Sequence, residues 1–544
     1  MTNNNSKSKN AVSKTSKNSD NTITEDISAE HNSNIKDSID QIEKDFEKLD
    51  APLEYEDGVV VSVIDDVISA YGLKNAFIEE KVKIISSKDI TMEVGLGMIM
   101  NLEENKVGIV LIRGSANEGD QVIRTEERLK IKVGAQILGR VLNGLGEPID
   151  ELGEIGGETE EVLVEKPATG IIERKSVQEP LYTGIKVIDT LIPIGRGQRE
   201  LIIGDKQTGK SAIAVDTILN QKNNKDGSVY CIYVFIGQRQ DEATRLYAKL
   251  KAQGAMKYSV IVSASASDSS MIQYLAPYVG TAIGEYFMNK GQHALIIYDD
   301  LSKHAIAYRE ISLLLKRPPS REAYPGDIFY IHSKLLERSA KLSDEHGGGS
   351  LTALPIVETK AGDVSGYIPT NVISITDGQI FLDVDLYNRN IKPAINIGLS
   401  VSRIGSSAQT PIVKQLIGML KIKLASYNEM AEFSQFGSDL DPATQELLNN
   451  GKKIIHTVCQ KEGNPIKIEY QIILIFMAIN KYLDQLSEQQ ISEIENYIIK
   501  YFEYETNHPE FFKTMLKGLK LSNNELEELH QFNKKLVQEF LNQA

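Results

Sequence analysis

The segment Gly204-Asp-Lys-Gln-Thr-Gly209-Lys210-Ser211 constrains this chain more than any other. It matches GxxxxGK[ST] in full, follows the strand-like run Glu200–Ile203 and precedes the helix-like run AIAVDTILN. Such a loop works between a strand and a helix, where backbone N–H groups and the helix dipole face an anion. Its glycines let those N–H groups curl around phosphate oxygens. Lys210 can then reach the terminal phosphates, and Ser211 can ligate Mg²⁺. The candidate contacts are Gly204, Asp205, Lys206, Gln207, Thr208, Gly209, Lys210 and Ser211.

The surrounding pattern fits a parallel α/β sheet. Leu201–Ile203, Tyr230–Phe235, Tyr258–Val262 and Ala294–Tyr298 are largely apolar runs, as strands buried on both faces should be. Helical stretches fall between them at Ser211–Asn220, Asp241–Leu250 and Ser269–Met288. Asp299 follows the last of these strands and is the expected carboxylate on the Mg²⁺ side, directly or through water. Its neighbour Asp300 reads as the cap of the next helix. Gln238 stands at the end of the strand after the loop helix. An amide there can hydrogen-bond a water but cannot take its proton.

The flanks differ from this core. Residues 1–50 open with lysines among Asn, Ser and Thr, too polar to offset their ordering entropy. Within them Ile35, Ile39, Ile42, Phe46 and Leu49 recur at helical spacing and predict a short amphipathic helix. Residues 51–131 read as short strands (Val59–Val63, Lys81–Ile85, Val107–Ile112, Leu129–Val133) between polar turns, which predicts a small barrel or sandwich. Residues 132–412 hold the α/β pattern. Residues 413–544 are helical throughout, with runs at Lys414–Phe436, Pro442–Val458, Lys467–Gln485, Ser492–Tyr504 and Asn523–Leu541.

Composition excludes several classes. With 544 residues and 41% apolar content, the chain can build several cores. A net charge of −15 argues against a surface devoted to nucleic acid, though not against a local phosphate site. Two cysteines exclude a disulfide framework and suit a reducing compartment. No apolar run reaches the roughly 20 residues of a membrane span. The expectation is a cytosolic protein that meets a membrane only through partners.

These residues, with blocks such as Thr183–Asp189, Pro193–Gly204, Ala294–Ser302, Lys316–Asp327, Gly347–Pro355, Asn371–Gln379 and Pro393–Ser402, resemble the alpha subunit of the F-type ATP synthase. The likeness covers about residues 55 to 460 clearly and the last 80 weakly. It implies a multidomain chain: an N-terminal β-barrel, a central RecA-like α/β nucleotide-binding domain with a mostly parallel sheet, and a C-terminal α-helical domain. It implies ATP or ADP with Mg²⁺ as ligand. It also implies a hexamer of three alpha and three beta-type catalytic chains, a central gamma-type stalk, and a peripheral delta-type subunit or a specialised replacement. The place implied is the cytoplasmic face of the cell membrane.

Gln238 aligns with the catalytic glutamate of beta chains, so the resemblance implies a non-catalytic partner. Arg403 matches the arginine finger that reaches the neighbouring beta chain, and Ser374 lies near the same interface. On the adenine side Pro393 and Gln460 match. Lys392 stands where the family has Arg, and Glu462 where it has Gln. These two changes predict weaker or less adenine-selective binding. Lys206 for Arg and Ser211 for Thr keep the loop's chemistry. The Asn- and Lys-rich start and diverged tail keep open an alpha-like chain of a specialised rotary ATPase, such as the F-like ATPases of some mollicutes attached to a gliding apparatus. A self-sufficient ATPase is opposed by Gln238 and the block around Arg403; a structural chain with a vestigial site is opposed by the intact loop and kept open by the altered adenine side.

Overall fold

The computed structural model describes residues 57–223, 228–434, 441–504 and 508–543. The amphipathic helix expected within residues 1–50 lies outside them. Six strands close a barrel in the order Gly58–Ile64, Val67–Gly72, Lys106–Gly114, Glu93–Leu102, Glu80–Ile85 and Gln121–Arg128. All its pairings are antiparallel, and Gly58↔Val122 joins the ends. Alternate residues point inward, so Val60, Ile68, Val82, Ile84, Ile99, Ile109 and Val122 form a separate small core. The Ile64–Val67 hairpin turns on Asp65, which takes φ +51°, a conformation aspartate tolerates.

The strand expected at Leu129–Val133 is real but lies outside the barrel. Lys130–Val133 pairs instead with Glu160–Leu163 as a separate ribbon. A closed barrel has no free edge to receive another strand.

The central sheet has eight strands. Their order is Val401–Ser402, Gly378–Leu382, Leu201–Gly204, Ser350–Glu358, His293–Asp299, Val229–Gln238, Ser259–Ser265 and Val141–Asn143. All neighbours run parallel except the edge strand Val401–Ser402. The loop strand Leu201–Gly204 therefore lies inside the sheet, with Gly204 level with Glu358 on one side and Leu382 on the other. Helices cover the sheet, including Lys210–Asn220, Gln240–Ala252, Ser270–Asn289 and Leu301–Leu314. Beneath it Arg338 and Glu285 form a fully buried two-point ion pair at 2.9 and 2.7 Å.

After Ser402 the described residues are helical. The single helix expected over Lys414–Phe436 is two, Pro411–Ile417 and Leu420–Ser434, interrupted at Gly418. Asp441 caps Pro442–Val458 by accepting from Thr444 N at 2.8 Å, with Pro442 in the first turn. Ile468–Ile479 is buried almost all round, as its unbroken apolar run requires. It stops short of Gln485, with Asn480 as its C-cap and Lys481 at φ +62°. The sequence reading also passed over Glu510–Leu516. Among the described residues no helix is long and apolar enough to cross a membrane.

The helical region is fastened to the sheet through the short helix Lys186–Leu191. Lys186, 1% exposed, pairs with Glu495 at 2.5 Å. Asp189 is fully buried and accepts from Thr183 N, Thr183 Oγ1, Gly184 N and Gln471 Nε2. Burial nevertheless pushes its carboxyl up to about 6.

Candidate functional site

The loop between Gly204 and Lys210 turns through two left-handed residues, Gln207 at φ +62° and Gly209 at φ +101°. Gly204 has no room for a side chain, since a Cβ would meet Leu382 O at 2.6 Å. Asp205 acts as a strut. Its carboxylate accepts from Thr359 Oγ1 at 2.5 Å and from Gly362 N at 2.9 Å. Thr208 Oγ1 and Lys210 Nζ both donate to Asp205 O, at 2.8 and 2.6 Å. Lys206 and Gln207 are exposed.

Burial lowers the pKa of Lys210, while Glu358, Asp300, Asp299 and Asp205 around it favour its charge. The ammonium thus stands among acidic groups at the carboxyl edge of the sheet, at the start of its helix, where phosphate oxygens are favoured.

Three side chains converge on Asp299. Ser211 Oγ donates to Asp299 Oδ2 at 2.8 Å, Tyr233 OH to the same oxygen at 2.5 Å, and Gln238 Nε2 to Oδ1 at 3.2 Å. Asp300 caps Leu301–Leu314 by accepting from Lys303 N at 2.7 Å, as its position predicts. Its other oxygen accepts from Gln238 Nε2 at 3.1 Å. Burial raises both acids, and with Asp299 and Glu358 nearby Asp300 is pushed up to about 8. Ser211 and Asp299 supply oxygen ligands of the kind Mg²⁺ prefers. Among the described residues no three His, Cys, Asp or Glu side chains cluster as a metal site, so a metal here would take further ligands from phosphate and water.

Beside the loop a cavity of about 580 Å³, counting its open mouth, is lined by Thr208, Gly209, Lys392, Pro393 and Gln460 among others. The sequence places these residues far apart, and the fold unites them. Arg403 and Ser374 are not among the residues lining this cavity. Arg403 is exposed, and its guanidinium donates to Thr376 O at 3.2 Å. Ser374 is exposed, with its hydroxyl donating to Asn371 O at 2.7 Å.

Sequence reasoning does not single out Tyr233, Asp216 or Tyr387. Tyr233 offers one usable signal: a phenol inside an otherwise apolar buried strand must find a partner for its hydroxyl. Asp216 and Tyr387 give none, because only the tertiary fold brings them to the cavity.

A glycine-turned loop between a buried parallel strand and a helix, with a lysine, a hydroxyl and a carboxylate from a neighbouring strand, defines a phosphate-loop nucleotide-binding protein. The family described as the ATP synthase alpha/beta family, nucleotide-binding domain, matches residues 184–402. The ATP synthase alpha/beta chain, C terminal domain, matches residues 409–536. Together these span more than half of the chain, which belongs to the ATP synthase alpha/beta family. It is accordingly a nucleotide-binding subunit of a rotary ATPase, and membership implies a hexamer with a beta-type partner around a central stalk.

Proposed function

We propose that this chain is the non-catalytic, alpha-type subunit of its hexamer, binding Mg-ATP or Mg-ADP without turning it over. The observation that carries this reading is Gln238. Its amide donates to Asp299 and Asp300 at the mouth of the site, at 3.2 and 3.1 Å. An amide so placed can orient water but cannot accept its proton. Lys210 and the loop N–H groups would hold the phosphates. Ser211, with Asp299 directly or through water, would hold Mg²⁺, which offsets phosphate charge.

Arg403 is assigned as the arginine finger for the neighbouring beta-type chain, and Ser374 is assigned to the same interface. Support comes from its exposure and from a guanidinium with five donors, of which one hydrogen bond is made within the chain among the described residues. A cation placed across an interface stabilises charge that develops in phosphoryl transfer. Residues 51–131, 132–412 and 413–544 are proposed as the barrel, nucleotide and helical domains. The chain would lie at the cytoplasmic face of the membrane through its partners.

The test is a comparison of the isolated chain with its reconstituted hexamer. The isolated chain should bind Mg-ATP and turn over more slowly than about 1 s⁻¹, the low end for enzymes. Faster turnover by the chain alone would reject the assignment.

A further inference from the structure

The cavity adjoins the phosphate loop through Thr208 and Gly209, so it is placed to take the base of a nucleotide held there, and its polar side chains are an unusual set for reading adenine. Gln460 has both of its amide N–H groups engaged. Its Oε1 accepts from Lys186 N at 3.0 Å, and its Nε2 donates to Gly184 O and Asn464 O, both at 2.7 Å. A primary amide has two N–H groups, so none remains for a base. Gln460 shapes the wall and reads nothing through donation.

Two carboxylates, two ammonium groups (Lys392 and Lys461) and the Tyr387 hydroxyl remain. Asp216, on the helix after the loop, accepts from Gly463 N at 3.0 Å, and burial raises its pKa. Glu462 sits at the rim and pairs with Lys249 at 3.2 Å. Carboxylates only accept when ionised. Lys392 stands over the Tyr387 ring, its Nζ 4.4 Å from the centroid. That contact fixes the ammonium near the cavity wall without a hydrogen bond to it among the described residues. Lys461 lines the cavity with these three, and of the two ammonium groups Lys392 is the one held against the Tyr387 ring.

Guanine presents the O6 and N7 acceptors that a lysine recognises, together with amino and imino donors suited to a carboxylate. Adenine offers an acceptor only at N7 on that edge and a donor at N6 beside it, which an ammonium cannot use. With both amide N–H groups of Gln460 engaged, no donor in this set prefers adenine to guanine.

We propose that this site accepts guanine nucleotides about as well as adenine nucleotides, with Lys392 as the residue that determines it. The proposal rests on the loop holding a nucleoside triphosphate, as argued above.

The experiment is calorimetric titration of the full-length chain with Mg-ATP and with Mg-GTP at one salt concentration. The expected result is a Kd for GTP within tenfold of that for ATP; a preference for ATP beyond tenfold overturns the proposal. Lys392→Met should weaken GTP at least tenfold more than ATP, and Lys392→Arg, which keeps a cationic donor, should retain GTP binding. Equal loss of both nucleotides in the correctly melting Lys392→Met chain overturns the role of Lys392. Failure of the unaltered chain to bind either nucleotide would instead overturn the nucleotide reading beneath it.

Discussion

Gln238 donates a hydrogen bond to Asp300 at 3.1 Å, joining the ends of two adjacent parallel strands. The same amide reaches Asp299, so a glutamate in its place would face two carboxylates at once. Gln238→Glu should therefore not convert the chain into an ATPase, and turnover should stay below about 1 s⁻¹. It should also steepen the loss of stability with pH. Asp300 ionises near 4 when unfolded but at about 8 when folded, so stability falls as pH rises between those values. A third acid enlarges that fall, because like charges brought together raise one another's pKa, seen by comparing denaturation at pH 6 and pH 8.

Lys210 reaches into the loop with its ammonium, and hydrogen bonds from a charged donor contribute about 1.5–3 kcal/mol each. Lys210→Ala should weaken ATP binding by about ten- to a hundredfold, measured by calorimetry. Because Thr208 and Asp205 hold the loop independently, the melting temperature should change little.

Arg403→Ala should leave the isolated chain's nucleotide affinity unchanged and lower the hydrolysis rate of the assembled hexamer by about 10³-fold or more. Assembly is checked by size-exclusion chromatography before the rate is compared. A hexamer of undiminished activity would remove Arg403 from the catalytic interface.

Glu285→Ala leaves the Arg338 guanidinium, fully buried, with its charge uncompensated except by Val164 O. Removing one member of a buried ion pair costs about 3–5 kcal/mol. Chemical denaturation should show a loss of that size.

Gln471→Leu takes one donor from Asp189, whose folded pKa of about 6 already lies above its unfolded value. For such a group stability falls as pH rises from about 4 through 6 and levels off above. Losing the donor raises the folded pKa further and extends the fall toward neutrality. The variant should be less stable than the parent by about 1–3 kcal/mol at pH 7, with a smaller difference at pH 5. Denaturation at the two pH values checks this.

Local chemistry made much of this legible. The strand, loop and helix around Lys210 could be read because motif, apolar run and helix start are contiguous. The caps at Asp300 and Asp441 could be read because each precedes its helix directly. The second half of Lys130–Val133's story could not, since whether a strand joins a barrel depends on the barrel having an edge left. Nor could the break at Gly418, where the helical apolar spacing on either side gives no warning. The engagement of Gln460 was hidden for the same reason: its three partners lie at residues 184, 186 and 464, and only the folded chain brings them together.

The cavity's walls come from both sides of a long stretch of sequence, with Thr208 and Gly209 at one end and Gln460 to Glu462 at the other. Whatever occupies it touches the sheet and the approach to the helical region simultaneously. Its affinity therefore adds to the adhesion between them, by RT ln(1 + [L]/Kd). A nucleotide held there without turnover, as proposed, would act as a mortar between the sheet and the helical region for as long as it stayed.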